Sequence, residues 1–228
     1  MKEPQALKTL HLSQLKDAAY DSIREAITDL RVPPGSSISE NWLVSQLGIS
    51  KTPIRHALTR LEQEGLVETI PFKGTFAAVT RAEDTLDLME VRIVLEVSAA
   101  RRIAQQPEPT SIARLRLLAQ AGATSEAAGM HTEALREIGD FHTELVAIAN
   151  NPWLTRLYDA LSGPLARLRT ISGASATSVE DSTAEHLAIV DALEAGDADL
   201  AAERLGRHTE RVLELYMSSV HNSVPRSV

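Results

Sequence analysis

Three histidines on separate helical stretches carry the first chemistry that this sequence offers. His142 recurs at helical spacing with Leu135, Ile138, Leu145 and Ala149; His186 with Ile189, Val190 and Leu193; His208 with Leu205, Val212 and Leu215. Residues three and four apart share one face of a helix, so each imidazole is predicted to point into an apolar interior. His11, His56, His131 and His221 lack such neighbours. One inward histidine is ordinarily a hydrogen-bonded core residue. Three in one small bundle each need a polar partner. A single divalent cation would serve all three, and three imidazoles with an open position suit Zn²⁺ or Ni²⁺. Arg92, in VRIVLE, also falls on an apolar face, with Leu88, Leu95 and Glu96 nearby. From its neighbours it reads as the ion-pair partner of Glu96 or of a surface acid.

A second constellation is basic. In GISKTPIRHALTRLEQEGL, from Gly48 to Leu66, a helix opens with Ser50, Lys51 and Thr52 and continues with Arg55 and Arg60. No acid stands between Asn41 and Leu61. Arg and Lys can pair with guanine edges or phosphates, while hydroxyls and first-turn N–H groups suit phosphate oxygens. Ile54, Leu58, Leu61 and Leu66 are spaced to face a core instead. Lys73-Gly74 lies at the tip of a hairpin, within reach of phosphate or minor groove. The alternative is a solvated basic face on an ordinary helix.

The elements that must position these groups follow from punctuation. Leu15 to Leu30 has helical apolar spacing and is stopped by Val32-Pro33-Pro34-Gly35. Ser39 to Leu47 reads as a short helix ended by Gly48. Ser50 caps a third helix running to about Glu64, with Pro53 in its first turn. Strands near Val67–Ile70 and Thr75–Val79 enclose the loop Pro71–Gly74. Helix, turn, helix and hairpin in this order make a winged helix-turn-helix, which presents the start of its second helix to the major groove.

Beyond Thr80 the pattern is helical throughout. A Thr80/Glu83 capping box opens a helix that runs to about Gln105. Others span Ser111 to Ala121, with Gly122 following it, and Thr132 to Ala149. Asn151-Pro152 starts a fourth. A Gly/Ser/Ala-rich linker, Ser172 to Ser178, precedes a fifth, and Gly196-Asp197 separates that from a sixth. The tail from His221 reads as frayed. The expected fold is thus mainly α: residues 1–80 a winged helix-turn-helix DNA-binding domain, residues 81–228 a six-helix all-α bundle.

Composition sets outer limits. The chain has 228 residues, no cysteine and a net charge of −8. Disulfides and thiolate metal sites are therefore excluded. Through Thr80 there are 9 Lys+Arg and 9 Asp+Glu, so the whole acidic excess lies in the bundle, and the acidic total does not argue against nucleic acid. The start, MKEPQALKTL, has no apolar run, and no stretch approaches the roughly 20 apolar residues of a membrane span. No membrane role is expected, and the cytoplasm is the expected location.

The segment LRVPPGSSISENWLVSQLGISKTPIRHALTRLEQEGLVETIPFKGTFAAV resembles the winged-helix domain of GntR-type bacterial transcription regulators over about Leu15 to Val79. The resemblance places Asn41, Lys51, Thr52, Arg55 and Gly74 at DNA-contacting positions. The C-terminal region resembles the FCD ligand-binding bundle of the FadR subgroup. Phe141-His142, Glu185-His186 and His208 match its metal-binding pattern, but the usual Asp is Ile138. Asp140 is rotated about 200° away on the helix and is no replacement. By the same resemblance Arg92 holds the carboxylate of a small effector. The expected protein is a homodimeric repressor of double-stranded operator DNA, controlled by a small carboxylate. Three rivals remain: a metal-dependent enzyme, disfavoured because no inward carboxylate is evident near the histidines; a purely structural bundle; and an N-terminal domain that binds protein.

Overall fold

A computed structural model describes residues 12–173 and 176–223. Between Val79 and Thr80 the chain divides into two compact units. The first contains α1 (Leu12–Thr28), α2 (Glu40–Leu47), α3 (Lys51–Gln63), β1 (Val67–Ile70) and β2 (Gly74–Ala77). Ala19, Ile23 and Ile27 of α1, one turn apart, bury against Ile54, Ala57 and Leu61 of α3. The Tyr20 hydroxyl donates to Glu64 at 2.7 Å and ties the start of the unit to the end of α3.

The turn between α2 and α3 is built from caps. Ser39 Oγ accepts from the Trp42 N–H, and Gly48 ends α2 in the left-handed region at φ 66°, donating to the Val44 carbonyl. A residue with a Cβ would be strained there. β1 and β2 pair antiparallel, Val67 opposite Ala77 and Ile70 opposite Gly74. Gly74 thus belongs to the ladder, and the loop is Pro71–Lys73, one residue shorter than expected. A bridge from Ser37 to Phe76 extends this sheet edge.

The second unit holds α4 (Ala82–Gln105), α5 (Pro109–Ala127), α6 (His131–Ile148), α7 (Pro152–Ser172), α8 (Ala176–Glu194) and α9 (Ala198–Ser223). α4 packs on α9, α5 on α6 and α8, and α6 on α7. Phe141, Leu145, Leu165, Leu168, Ile189 and Leu205 are buried among them. Asn151 caps α7 as expected, its side chain accepting from the Trp153 and Leu154 N–H groups.

Three expectations change. Arg81, not Thr80, occupies the N-cap of α4. α5 starts two residues early, because Glu108 caps it and Pro109 takes its first position, and it runs six residues past Ala121. Gly122 therefore lies inside α5, where it lets α6 approach. A Cβ at Gly122 would sit 3.1 Å from Ile138 Cγ1 and 3.3 Å from the Ala134 carbonyl oxygen. Of the expected linker and tail, residues 174–175 and 224–228 lie outside the described residues, while α9 continues through His221 to Ser223. Among the described residues no helix is long and apolar enough to cross a membrane.

The packing at Gly122 is testable. Gly122→Leu should lower the urea-unfolding free energy by about 1–3 kcal/mol through overpacking. An unchanged midpoint would mean that α5 and α6 separate freely at this contact.

Candidate functional site

Four helices of the second unit converge on the histidines. α6 supplies His142, α8 His186 and α9 His208, and all three are buried. One ring nitrogen from each lies within 4.8 Å of the others. The ring centroids are 4.7–5.1 Å apart, and Phe141 stacks on His186 at 4.0 Å. The three helical spacings thus bring their histidines to one point.

α4 adds Arg92 and Glu96, one turn apart and both fully enclosed. Arg92 Nε donates to Glu96 Oε1 at 2.8 Å. The Tyr158 hydroxyl donates to the same oxygen at 2.8 Å, and His142 Nδ1 lies 3.2 Å from it. Burial alone would favour the neutral acid, but Arg92, then His142, hold Glu96 ionised well below the usual carboxylate range. Arg92 is in turn kept charged by Glu96 against its own desolvation. Both expected roles of Arg92 are open to it, since it pairs with Glu96 and also lines a cavity with the histidines.

The hydrogen bonds assign the tautomers. Arg92 Nη2 lies 2.9 Å from His142 Nε2 and can only donate, so Nε2 carries the lone pair and Nδ1 the proton facing Glu96. His208 Nδ1 lies 2.6 Å from Glu185 Oε2, and Arg211 donates to both oxygens of Glu185 at 2.7 Å. His208 Nε2 then points inward and has no hydrogen-bond partner. His208 thus donates outward to Glu185, while His142 turns Nδ1 toward Glu96 at 3.2 Å without completing a hydrogen bond, and both direct their lone pairs to a common centre, as metal-ligating histidines do. His186 Nε2 lies 3.0 Å from His142 Nε2. Two lone pairs at that distance repel unless a proton or a cation lies between them. The set fits a divalent ion, with Zn–N bonds of about 2.0–2.1 Å, once the widest pair closes slightly and Arg92 yields the His142 lone pair.

Two corrections follow. Carboxylates do lie beside the histidines, contrary to the sequence reading, because Glu96 and Glu185 reach them from neighbouring helices. Both serve the outer nitrogens, however, and neither is placed as a base at the centre. Ile138 lines the adjoining cavity and offers no ligand atom. That cavity has a volume of about 30 Å³, room for about two waters. Arg169, which the sequence reading missed, lines it from α7.

In the first unit Asn41, Ser50, Lys51, Thr52, Arg55, Lys73 and Gly74 are all exposed. Ser50 has the extended backbone of an N-cap but makes no side-chain capping bond, which leaves its hydroxyl for another partner. Arg55 Nε meets Glu40 Oε1 at 2.8 Å. Glu40 falls one residue outside the acid-free stretch and so escaped notice. Arg60 is turned elsewhere: its guanidinium lies 3.6 Å over the Tyr20 ring, and Nε is 3.2 Å from Glu64 Oε1. Phe72, also missed, is wholly exposed at the hairpin tip with φ 63°.

Comparisons with known proteins agree with this architecture. The sequence model described as "Bacterial regulatory proteins, gntR family" matches residues 15–77, and that of the FCD domain matches residues 87–211. An Nta operon transcriptional regulator of Aminobacter aminovorans is 34% identical, over 82% of this chain and 89% of its own. A probable D-xylose utilization operon transcriptional repressor of Paenarthrobacter nicotinovorans is 29% identical, over 90% and 88% respectively. Among solved structures, E. coli McbR/YncC superimposes with a TM-score of 0.79, covering 90% of this chain and 97% of its own. At 17% identity that likeness bears on the fold alone.

Burial dictates an acid response. It lowers the pKa of His142 to about 3 and that of His186 well below its ordinary value, and His208 shifts down despite Glu185. The unfolded chain therefore binds more protons than the folded one as pH drops through about 6.5, and stability is lost as the pH falls. Chelator-treated protein should lose about 1 kcal/mol per buried histidine in urea unfolding between pH 7.5 and 5.5. An equal free energy at both would mean that the rings take up protons in place. Glu96→Ala should cost about 3–5 kcal/mol by stranding Arg92, with a smaller loss when Arg92→Met accompanies it. Strictly additive losses would dissolve the pair.

Proposed function

Because the chain belongs to the gntR family of bacterial regulatory proteins and carries an FCD domain, we propose that this DNA-binding transcription regulator is a repressor controlled by a small carboxylate in its bundle. Its relatives are regulators rather than enzymes. One of them is named a repressor, which supports the sign of control. The bundle observation that carries the proposal is the enclosed meeting of three inward imidazoles with Arg92.

On the DNA side the reading rests on an exposed, cap-free helix start. Lys51, Thr52 and Arg55 of α3 would enter the major groove, Ser50 and Asn41 would take phosphate or base edges, and Lys73 and Gly74 of the hairpin would reach the adjoining backbone. The Arg55–Glu40 pair is exposed and screened by solvent, so DNA can displace Glu40 at little cost. Arg60, exposed but stacked on Tyr20 and paired with Glu64, would reach phosphate only by giving up those contacts.

In the bundle, His142, His186 and His208 would hold a divalent ion such as Zn²⁺ or Ni²⁺. Bound there, the ion would supply a Lewis-acidic position for a carboxylate oxygen, with Arg92 beside it. With Ile138 in place of an acid the site keeps net charge +2 and so favours an anionic ligand. The active form is a homodimer in the cytoplasm, matching a two-fold operator. Val91 and Val94 of α4 and Trp153 and Leu157 of α7 are exposed apolar residues suited to a self-association face. Effector would shift operator affinity by a coupling of about 1–3 kcal/mol, roughly 5- to 150-fold.

Protein purified without a histidine tag or chelator should carry close to one divalent ion per chain, lost in His186→Ala. Absence of metal from the wild type would leave the histidines as a polar pocket. Arg55→Ala should weaken operator binding by about 1–3 kcal/mol, and wild-type affinity should fall steeply with salt. Unchanged affinity in Arg55→Ala would remove α3 as the recognition helix.

A further inference from the structure

The cavity beside the histidines has a second cationic wall, and a glycine makes it. α6 and α7 pack together, and Arg169 of α7 lies across α6 at Gly139. A Cβ at residue 139 would fall 2.7 Å from Arg169 Cζ and 3.3 Å from its Nε, inside van der Waals contact. Gly139 is buried in the middle of an eighteen-residue helix, where glycine is unfavourable relative to alanine. Its missing methyl is what lets the guanidinium lie flat over the helix and reach the cavity.

Arg169 differs from Arg92 in what it already touches. Arg92 is committed to Glu96 and His142. No carboxylate among the described residues comes within 4.0 Å of the Arg169 guanidinium, although Asp140, next to Gly139, lies close enough to feel its charge. The same cavity receives His208 Nε2, a fully buried nitrogen without a partner, and Ser182. One small space thus has Arg92 and the histidines on one side and, on α7, the half-buried guanidinium of Arg169 with no ion-pair partner among the described residues.

We infer that Arg169 is a specificity-determining anion contact, and that the effector is a dicarboxylate, one carboxylate meeting Arg92 and the histidine centre and the other meeting Arg169. This rests on the reading of the cavity as a carboxylate site. A monocarboxylate would answer the inner cations and leave Arg169 confined without a counter-charge. A second carboxylate supplies it, in the two-pronged geometry that arginine favours. Because the cavity admits only about two waters, a diacid needs the half-exposed Arg169 side chain to shift outward and make room for it.

The test uses the full-length protein loaded with Zn²⁺. Saturated dicarboxylates of two to five carbons and the matching monocarboxylates, acetate to valerate, are titrated calorimetrically into wild type, Arg169→Ala and Gly139→Ala. At least one diacid should bind wild type ten-fold or more tightly than its monoacid. That preference should vanish in Arg169→Ala and shrink in Gly139→Ala, with monoacid affinity and zinc stoichiometry unchanged. Gly139→Ala raises helix propensity and displaces only the flexible end of Arg169, so it separates a shifted guanidinium from a misfolded bundle. Equal binding of diacid and monoacid, or a preference that survives Arg169→Ala, would overturn the role of Arg169 while leaving the carboxylate site standing. Failure of every acid to bind wild type would overturn the site reading itself.

Discussion

The chemistry of the bundle depends on one charge held where water does not reach. Glu96 is fully buried and ionised, and its Oε1 atom gathers Arg92, Tyr158 and the Nδ1 side of His142. A lone carboxylate in such a place would take up a proton, but here the guanidinium and the phenol replace the hydration of Oε1, while Oε2 has no hydrogen-bond partner. That arrangement turns the lone pair of His142 inward, because the imidazole has only one proton to give. Glu185 does the same for His208, and against its own burial the hydrogen bonds from His208 and then Arg211 lower its pKa to about 2. The orientation of the inward nitrogens is therefore set by acids behind them, not by the ligand in front.

This division explains why the site was only partly legible in the sequence. Helical spacing located His142, His186 and His208, because each lies among apolar residues three and four positions away. It also located Arg92, and with it the choice of Glu96 as partner. Spacing within one helix says nothing of what a second helix brings to the same point. Hence Glu96 against His142 and Glu185 against the His208 ring escaped it, and so did Arg169, whose role depends on the gap at Gly139. Gly122 shows the same limit. As a residue type it signals a helix end, yet in the bundle it marks a close approach to Ile138.

The winged unit was more legible because its punctuation is local. Ser39, Gly48 and Pro53 act through backbone bonds to residues within a turn, so the position of α3 and its exposed start follow from adjacent letters. What failed there was again a long-range partner. Arg60 looks like another base on a basic helix, but Tyr20, forty residues earlier, offers a ring face and Glu64 an acid. The Tyr20 hydroxyl also donates to Glu64, and burial with this acid raises its pKa to about 12. Arg60 thus helps to clamp α1 to the C-terminal end of α3, which steadies the helix whose other end faces outward.

Ile138 draws the two features of the bundle together. A carboxylate at that position would have supplied both a fourth ligand and a neutralising charge. The isoleucine supplies neither. It packs toward Gly122 on α5 and leaves the cavity with a guanidinium on two sides: Arg92 beside the neutral histidines on one, Arg169 on the other. Glu96 offsets only one of these charges. In a small space of low polarity such an imbalance is costly, and any anion that enters reduces it. On the proposed reading, an anionic ligand would supply the charge that no protein carboxylate offers at position 138, and one with two carboxylates would reach both guanidinium groups.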